Sequence, residues 1–296
     1  MQTNHEKKSI KKLHSIRRNV DRHWVGDGFP VRTLFSYSGQ GAILSPFLLL
    51  DYAGPTEFQP TDKRLGVGEH PHRGFETVTI VYDGAVEHRD SAGGGGSIGP
   101  GDVQWMTAAS GLVHEEFHGR GFAQRGGKFE MVQLWVNLPA KDKMSSPRYQ
   151  EILNAQIPTV NLPDNTGTVR VIAGEFATAK GPAKTFTPVN VWDIRLVSNQ
   201  QVDLAMPDGY TTALVVLKGK LRVNGSDFIN AAEVGVFEHS GETIRIDNGQ
   251  GATLLLLAGE PIDEPIVGSG PFVMNTAQEI HQAMMDYQSG KMGHLS

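Results

Sequence analysis

Apolar and β-branched residues in this chain come in short runs rather than long amphipathic stretches. Residues 77–82, 132–137, 213–217 and 253–257 are such runs, each of strand length. Turn signals separate them: Asp83-Gly84, Gly99-Pro100-Gly101-Asp102, Asp208-Gly209, Asn224-Gly225 and Asn248-Gly249. Strands recurring about every 8–12 residues predict an all-β sandwich or barrel rather than βαβ units. One segment has a helical period. Thr276-Ala-Gln-Glu279 has the spacing of a capping box. Ile280, Met284 and Tyr287 then share a helix face, and Gly290 suits the end. The expectation is a short C-terminal helix packed on a β body.

The pattern also repeats. Residues 78–84 resemble 213–219, and residues 100–106 resemble 231–237, at an offset of roughly 130–135. Two copies of one β unit account for the length. We expect a basic leader at 1–24, a first β domain at 25–140, a Pro-rich linker at 141–170 and a second domain at 171–296 that ends in the helix. The leader carries Lys7, Lys8, Lys11, Lys12, Arg17, Arg18 and Arg22 and lacks the apolar core of a secretion signal. It reads as a solvated arm or a strand. No apolar run approaches the roughly 20 residues of a membrane helix. A cytoplasmic location is the default expectation.

Composition narrows the chemistry. The 296 residues include no cysteine, which excludes disulfides, thiol nucleophiles and Cys-ligated clusters. Any metal must sit on His and carboxylate. With 27 Lys+Arg against 32 Asp+Glu, the net charge is −5, which argues against direct nucleic-acid binding.

Five of the 11 histidines fall between residues 70 and 118: His70, His72, His88, His114 and His118. Two period-2 pairs stand out, His70-Pro-His72 and His114-Glu-Glu116. On a strand, residues i and i+2 point to one face. If the two strands oppose each other, three imidazoles and a carboxylate converge. That set suits a divalent first-row metal with open positions. The plainer alternative is hydrogen-bonded core histidines. His118 continues the Glu116 face, at the rim or behind the ligands. His88 follows a turn and reads as structural or solvated, and Glu115 as exposed. In the second copy, Ala205 and Pro207 align with His70 and His72, and Ile244 and Ile246 with His114 and Glu116. That copy should have an apolar interior and no metal, with His239 not making a site. Gln133 and Trp135 share a strand face that either lines the barrel or faces out. Gly93 to Gly96 lacks the Lys-Ser/Thr of a phosphate loop and reads as a flexible hairpin loop. Ser110-Gly111 lacks the pattern of a nucleophile elbow.

The stretches His70-Pro-His-Arg-Gly-Phe-Glu-Thr-Val, Pro100-Gly-Asp-Val-Gln-Trp-Met-Thr-Ala and Gly111-Leu-Val-His-Glu-Glu closely resemble the pirin family. Leu134-Trp-Val-Asn-Leu-Pro and Gly270-Pro-Phe-Val-Met-Asn-Thr are similar too. The resemblance covers about residues 31–290 and leaves out the leader. It implies two tandem cupin β-barrels with a metal in the N-terminal one only. It also implies His70, His72, His114 and Glu116 as ligands, with Glu116 doubling as a base. Glu76 stands where many cupins place a ligand, but in pirins it is not one, so it would lie behind the ligands. The implied activity is quercetin 2,3-dioxygenase-like, opening a flavonol with O2 on a divalent metal. The metal is Fe(II) by resemblance, with Mn, Co, Ni, Cu or Zn open. The alternative is a metal-binding regulator that works through a protein partner, as a transcription co-regulator or a modulator of a metabolic enzyme.

Overall fold

The computed structural model describes residues 9–197, 200–225, 228–248 and 250–295. Lys7, Lys8 and Gly249 of the sequence reading lie outside the described residues. Strands dominate, and the chain divides into two compact units, each of which carries a seven-stranded and a four-stranded antiparallel sheet.

The unit that bears the five clustered histidines comprises Asn19–Ile157, Pro182–Thr187 and Ile262–Ser296. Its large sheet runs, edge to edge, Arg148–Ile152, Val103–Thr107, Phe75–Asp83, Gly127–Asn137, Phe47–Phe58, Phe29–Ser36 and His23–Val25. Its small sheet is Gly66–His72, Leu112–His118, Val86–Asp90 and Gly95–Ile98. The other unit repeats this plan. Thr211–Lys218, Ala252–Gly259 and Val189–Leu196 are central in its large sheet, and Thr243–Asn248 is inside its small one. Gly84 and Gly219, equivalent in the repeat, have φ of +86° and +84°, a region that glycine enters without steric cost.

The compact units cut across the boundaries expected from sequence. Residues 9–18 of the leader belong to the second unit. There Leu13–Arg18 is an edge strand paired with Glu233–Phe237, and Arg18 bonds Glu233 at 2.9 Å. The C-terminal helix Ala277–Gln288 belongs to the first unit. It packs Ile280 and Ala283 against Val113, Phe272, Met274 and Met292. Thr276 accepts from the Glu279 amide, as the capping box requires. The buried stripe is rotated from the expected one. Met284 and Tyr287 are exposed, because Asp286 turns inward to meet Arg73 at 2.9 Å.

The interior of the second unit is a continuous apolar core that includes Ile244 and Ile246. The facing residues are Val202, Leu204 and Met206, while Ala205 is exposed. The expected alignment of Ala205 and Pro207 is therefore one residue out of register, which on a strand exchanges the two faces. No described helix is long and apolar enough to cross a membrane.

Candidate metal centre

The Gly66–His72 and Leu112–His118 strands pair antiparallel, with His70 opposite His114 and Leu112 opposite His72. His114 and Glu116 share a face by strand alternation, and the register shifts beside them, where Glu116 pairs with Val67. Ring centroids lie 4.1 Å apart for His70 and His114, 4.8 Å for His72 and His114, and 5.0 Å for His70 and His72.

Hydrogen bonds set the tautomers. The Nδ1–H of His70 donates to the Gly68 carbonyl at 2.8 Å, and that of His72 to the Pro271 carbonyl at 3.3 Å. A carbonyl only accepts, so each ring keeps its Nε2 lone pair for the centre. His114 Nε2 is buried and has no hydrogen-bond partner. Burial first, and then the neighbouring His70, lower the His72 pKa to about 3. The same two causes push His114 well below the ordinary histidine value. Neutral imidazoles are the ligating form.

Glu116 provides the carboxylate. Its Oε2 accepts from Gln133 Nε2 at 3.0 Å, and its Oε1 lies 3.4 Å from both Thr79 Oγ1 and Gln104 Nε2. The donor atoms form two overlapping triads, each within 4.8 Å: His70, His72 and His114, and His88, His114 and Glu116. His114 is common to both triads; His70 and His72 belong to one and Glu116 to the other. Glu116 shares its triad with His88, a residue that reads from sequence as structural or solvated. Three imidazole nitrogens and one carboxylate fit a divalent first-row cation, and a buried nitrogen with no protein partner is accounted for by such an ion.

His88 is buried and not solvated. It stacks on Tyr149 with centroids 5.2 Å apart and rings 9° from parallel, and its Nδ1 lies 3.2 Å from His114 Nδ1. The signal was present in the sequence: His88-Arg89-Asp90 is a third period-2 pair. Glu115 is also buried, held by Arg89 at 2.6 Å and Arg64 at 3.0 Å. Burial raises its pKa, but the bonds from the two arginines outweigh it, and the net value is lowered. The glycine run is not a free loop, since Gly95 and Gly96 pair with Arg89 and His88. His118 lies elsewhere, stacked on Phe129 and bonded to the Gly28 carbonyl. Glu76 is buried and accepts from Thr107 at 2.7 Å.

A cavity of about 400 Å³ opens onto His70, His72 and Glu116, within the usual range for small-molecule sites. Val25, Phe29, Val31, Val67, Met131 and Trp135 form its apolar wall. Trp135 stacks on Phe75 at 4.3 Å. Gln133 and Asp51, opposite each other in register, supply polar groups. Gln133 and Trp135 therefore line the barrel. Burial pushes the Asp51 carboxyl up, against the hydrogen bond that Thr33 donates at 2.6 Å.

The Pirin profile matches residues 28–136, and the Pirin C-terminal cupin domain profile matches residues 191–293. The chain belongs to the pirin family. A Pseudomonas aeruginosa protein provisionally named a quercetin 2,3-dioxygenase is 55% identical over 95% of this chain and 98% of its own length. A pirin-like protein of Caulobacter vibrioides is 40% identical over 90% of this chain and 95% of its own. Among solved structures, a quercetin 2,3-dioxygenase from Acinetobacter baumannii matches with a TM-score of 0.95 and 52% identity. It covers 97% of this chain and all of that one. Each match to a pirin profile falls on one copy of the repeat, and the one on the first copy contains both histidine triads. The pirin architecture of two tandem cupins is thus the fold seen here.

Proposed function

We propose that this pirin is a metal-dependent dioxygenase that opens the heterocycle of a flavonol with O2, and that Fe(II) is its resident metal. In that reaction both oxygen atoms enter the product and carbon monoxide leaves. One observation carries the reading: a largely apolar cavity is lined by His70, His72 and Glu116, with the buried His114 grouped with both histidines behind it. The names of the relatives at 55% and 52% identity support it.

His70, His72, His114 and Glu116 would hold the ion. When bound, it supplies Lewis acidity toward the substrate hydroxyl and the electron exchange that O2 chemistry needs. Glu116 takes the hydroxyl proton, a role open to a carboxylate but not to an imidazole whose lone pair is engaged. Gln133 holds the carboxylate in line through Oε2. The flat face of Trp135 and the Val and Phe side chains fit an aromatic ring system and exclude water. Asp51 is placed to accept from a further ring hydroxyl.

The test is O2 uptake on adding quercetin to iron-loaded protein, beside a His70→Ala, His72→Ala double variant. Uptake that tracks the intact site is expected. Parallel loading with Mn, Co, Ni, Cu and Zn ranks the metals. Metal bound in the parent and absent from the variant, with no uptake in either, would overturn the dioxygenase reading in favour of the partner-binding alternative.

A further inference from the structure

His88 and Asp90 are used by nothing above, yet both are buried beside His114. Their strand Val86–Asp90 pairs with Leu112–His118 so that Asp90 faces His114 and His88 faces Glu116. His88 Nδ1 lies 3.2 Å from His114 Nδ1, and His88 Nε2 lies 3.4 Å from Asp90 Oδ2. Asp90 is itself pinned: its Oδ1 accepts from the Ala92 and Gly94 amides, each at 2.9 Å.

Proton bookkeeping leaves one consistent arrangement. Two facing nitrogens 3.2 Å apart bond only if one of them carries the hydrogen. If His88 were the donor, His114 would carry its hydrogen on Nε2, which would block a cation. The bare Nε2 of His88 would then face a carboxylate. In the opposite arrangement every group is satisfied. His114 Nδ1–H donates to His88 Nδ1, His88 Nε2–H donates to Asp90 Oδ2, and His114 Nε2 is left bare.

We propose that Asp90 and His88 form an orienting relay that fixes His114 in the Nε2-ligating tautomer and raises its basicity, while His88 itself binds no metal. The proposal rests on the reading of His70, His72, His114 and Glu116 as a metal centre. Carboxylates and histidines behind a ligand act in this way in other metal sites. The surroundings are shaped for it. The ring of Tyr149 covers His88 face to face. A Cβ at Gly94 would come within 2.4 Å of Asp90 Oδ2 and 2.7 Å of Tyr149 Cβ, so only glycine leaves the carboxylate in place.

The experiment is Co(II) titration of the full chain, followed by the ligand-field spectrum, for the parent and for His88→Phe, His88→Gln and Asp90→Asn. Phe keeps the stacking on Tyr149 and removes both bonds, and Co(II) affinity is expected to fall about 10–100-fold. Gln offers an acceptor to His114 Nδ1 and is expected to recover part of the loss. A merely structural role would not show this rescue. Asp90→Asn is expected to weaken binding less and to raise the Fe(III)/Fe(II) potential, since it makes the ligand less basic. It also serves if His88→Phe does not fold. In every variant the spectrum should keep the parent's ligand count. Parental affinity in both His88→Phe and Asp90→Asn would overturn the relay. So would loss of a nitrogen ligand in His88→Phe, which would make His88 a ligand. Parental Co(II) binding in a His114→Ala control would instead refute the metal-centre reading itself.

Discussion

Gln133 Nε2 reaches Glu116 Oε2 at 3.0 Å, so one amide on the large sheet sets the carboxylate that stands on the small one. Gln133→Leu removes that donor and leaves a charged oxygen against an apolar side chain. We expect kcat for O2 uptake to fall about 10–100-fold, as for other groups that orient a ligand. Parental kcat would show that Glu116 needs no support.

Asp51 lies across from Gln133 on the neighbouring strand, with one oxygen committed to Thr33. If a substrate hydroxyl takes the other, Asp51→Asn weakens that contact. A hydrogen bond to a charged group is worth about 1.5–3 kcal/mol. We therefore expect KM to rise about tenfold for quercetin and little for a flavonol with no hydroxyls on its pendant ring. Equal rises for both compounds would remove Asp51 from substrate recognition.

Glu76 gives the protein a pH-dependent stability. Burial raises its pKa from 4.5 to about 7, although bonding from Thr107 and the charge of Arg148 pull it down. The folded state therefore binds the proton more tightly than the unfolded chain does. This contribution is fully present below the unfolded value and is lost as pH rises through about 7. Its upper size is about 3 kcal/mol. Glu76→Gln should match the parent near pH 4 and exceed it at pH 8 in urea denaturation. A constant difference across that span would contradict the assignment.

Phe129 is fully buried among Phe29, Phe58, Phe122 and His118. Phe129→Ala should cost about 3–5 kcal/mol. The loss should fall on the unfolding transition that added metal raises, because Phe129 lies in the histidine-bearing unit. A loss confined to the other transition would assign the metal to the wrong unit.

Strand periodicity made much of this legible. Alternation places His70 with His72 and His114 with Glu116 on shared faces, and the repeat predicts an apolar second copy. What escaped was set by tertiary contacts. His88 follows a turn, and only the pairing of Val86–Asp90 with Leu112–His118 brings it to His114. Glu115 is buried because Arg64 and Arg89, far from it in sequence, compensate its charge. Ala205 faced the wrong way because a one-residue register error is invisible in a conserved-looking turn alignment. The cap of the helix is legible in Thr276 and Glu279, but its buried face is not, because that face is set by the pairing of Asp286 with Arg73.

The exchange of chain ends between the two units bears on biosynthesis. Both histidine triads are complete before residue 117, yet the helix and short strands that close over Val113 come from residues 267–292. On a ribosome the barrel with the histidine triads therefore waits, uncapped on that side, while the whole second barrel is synthesised and can fold. The edge strand Leu13–Arg18 is made more than 200 residues before its partner Glu233–Phe237. A nascent chain halted after the first cupin would have all the residues of both triads and an exposed apolar flank, a species for chaperones rather than for catalysis.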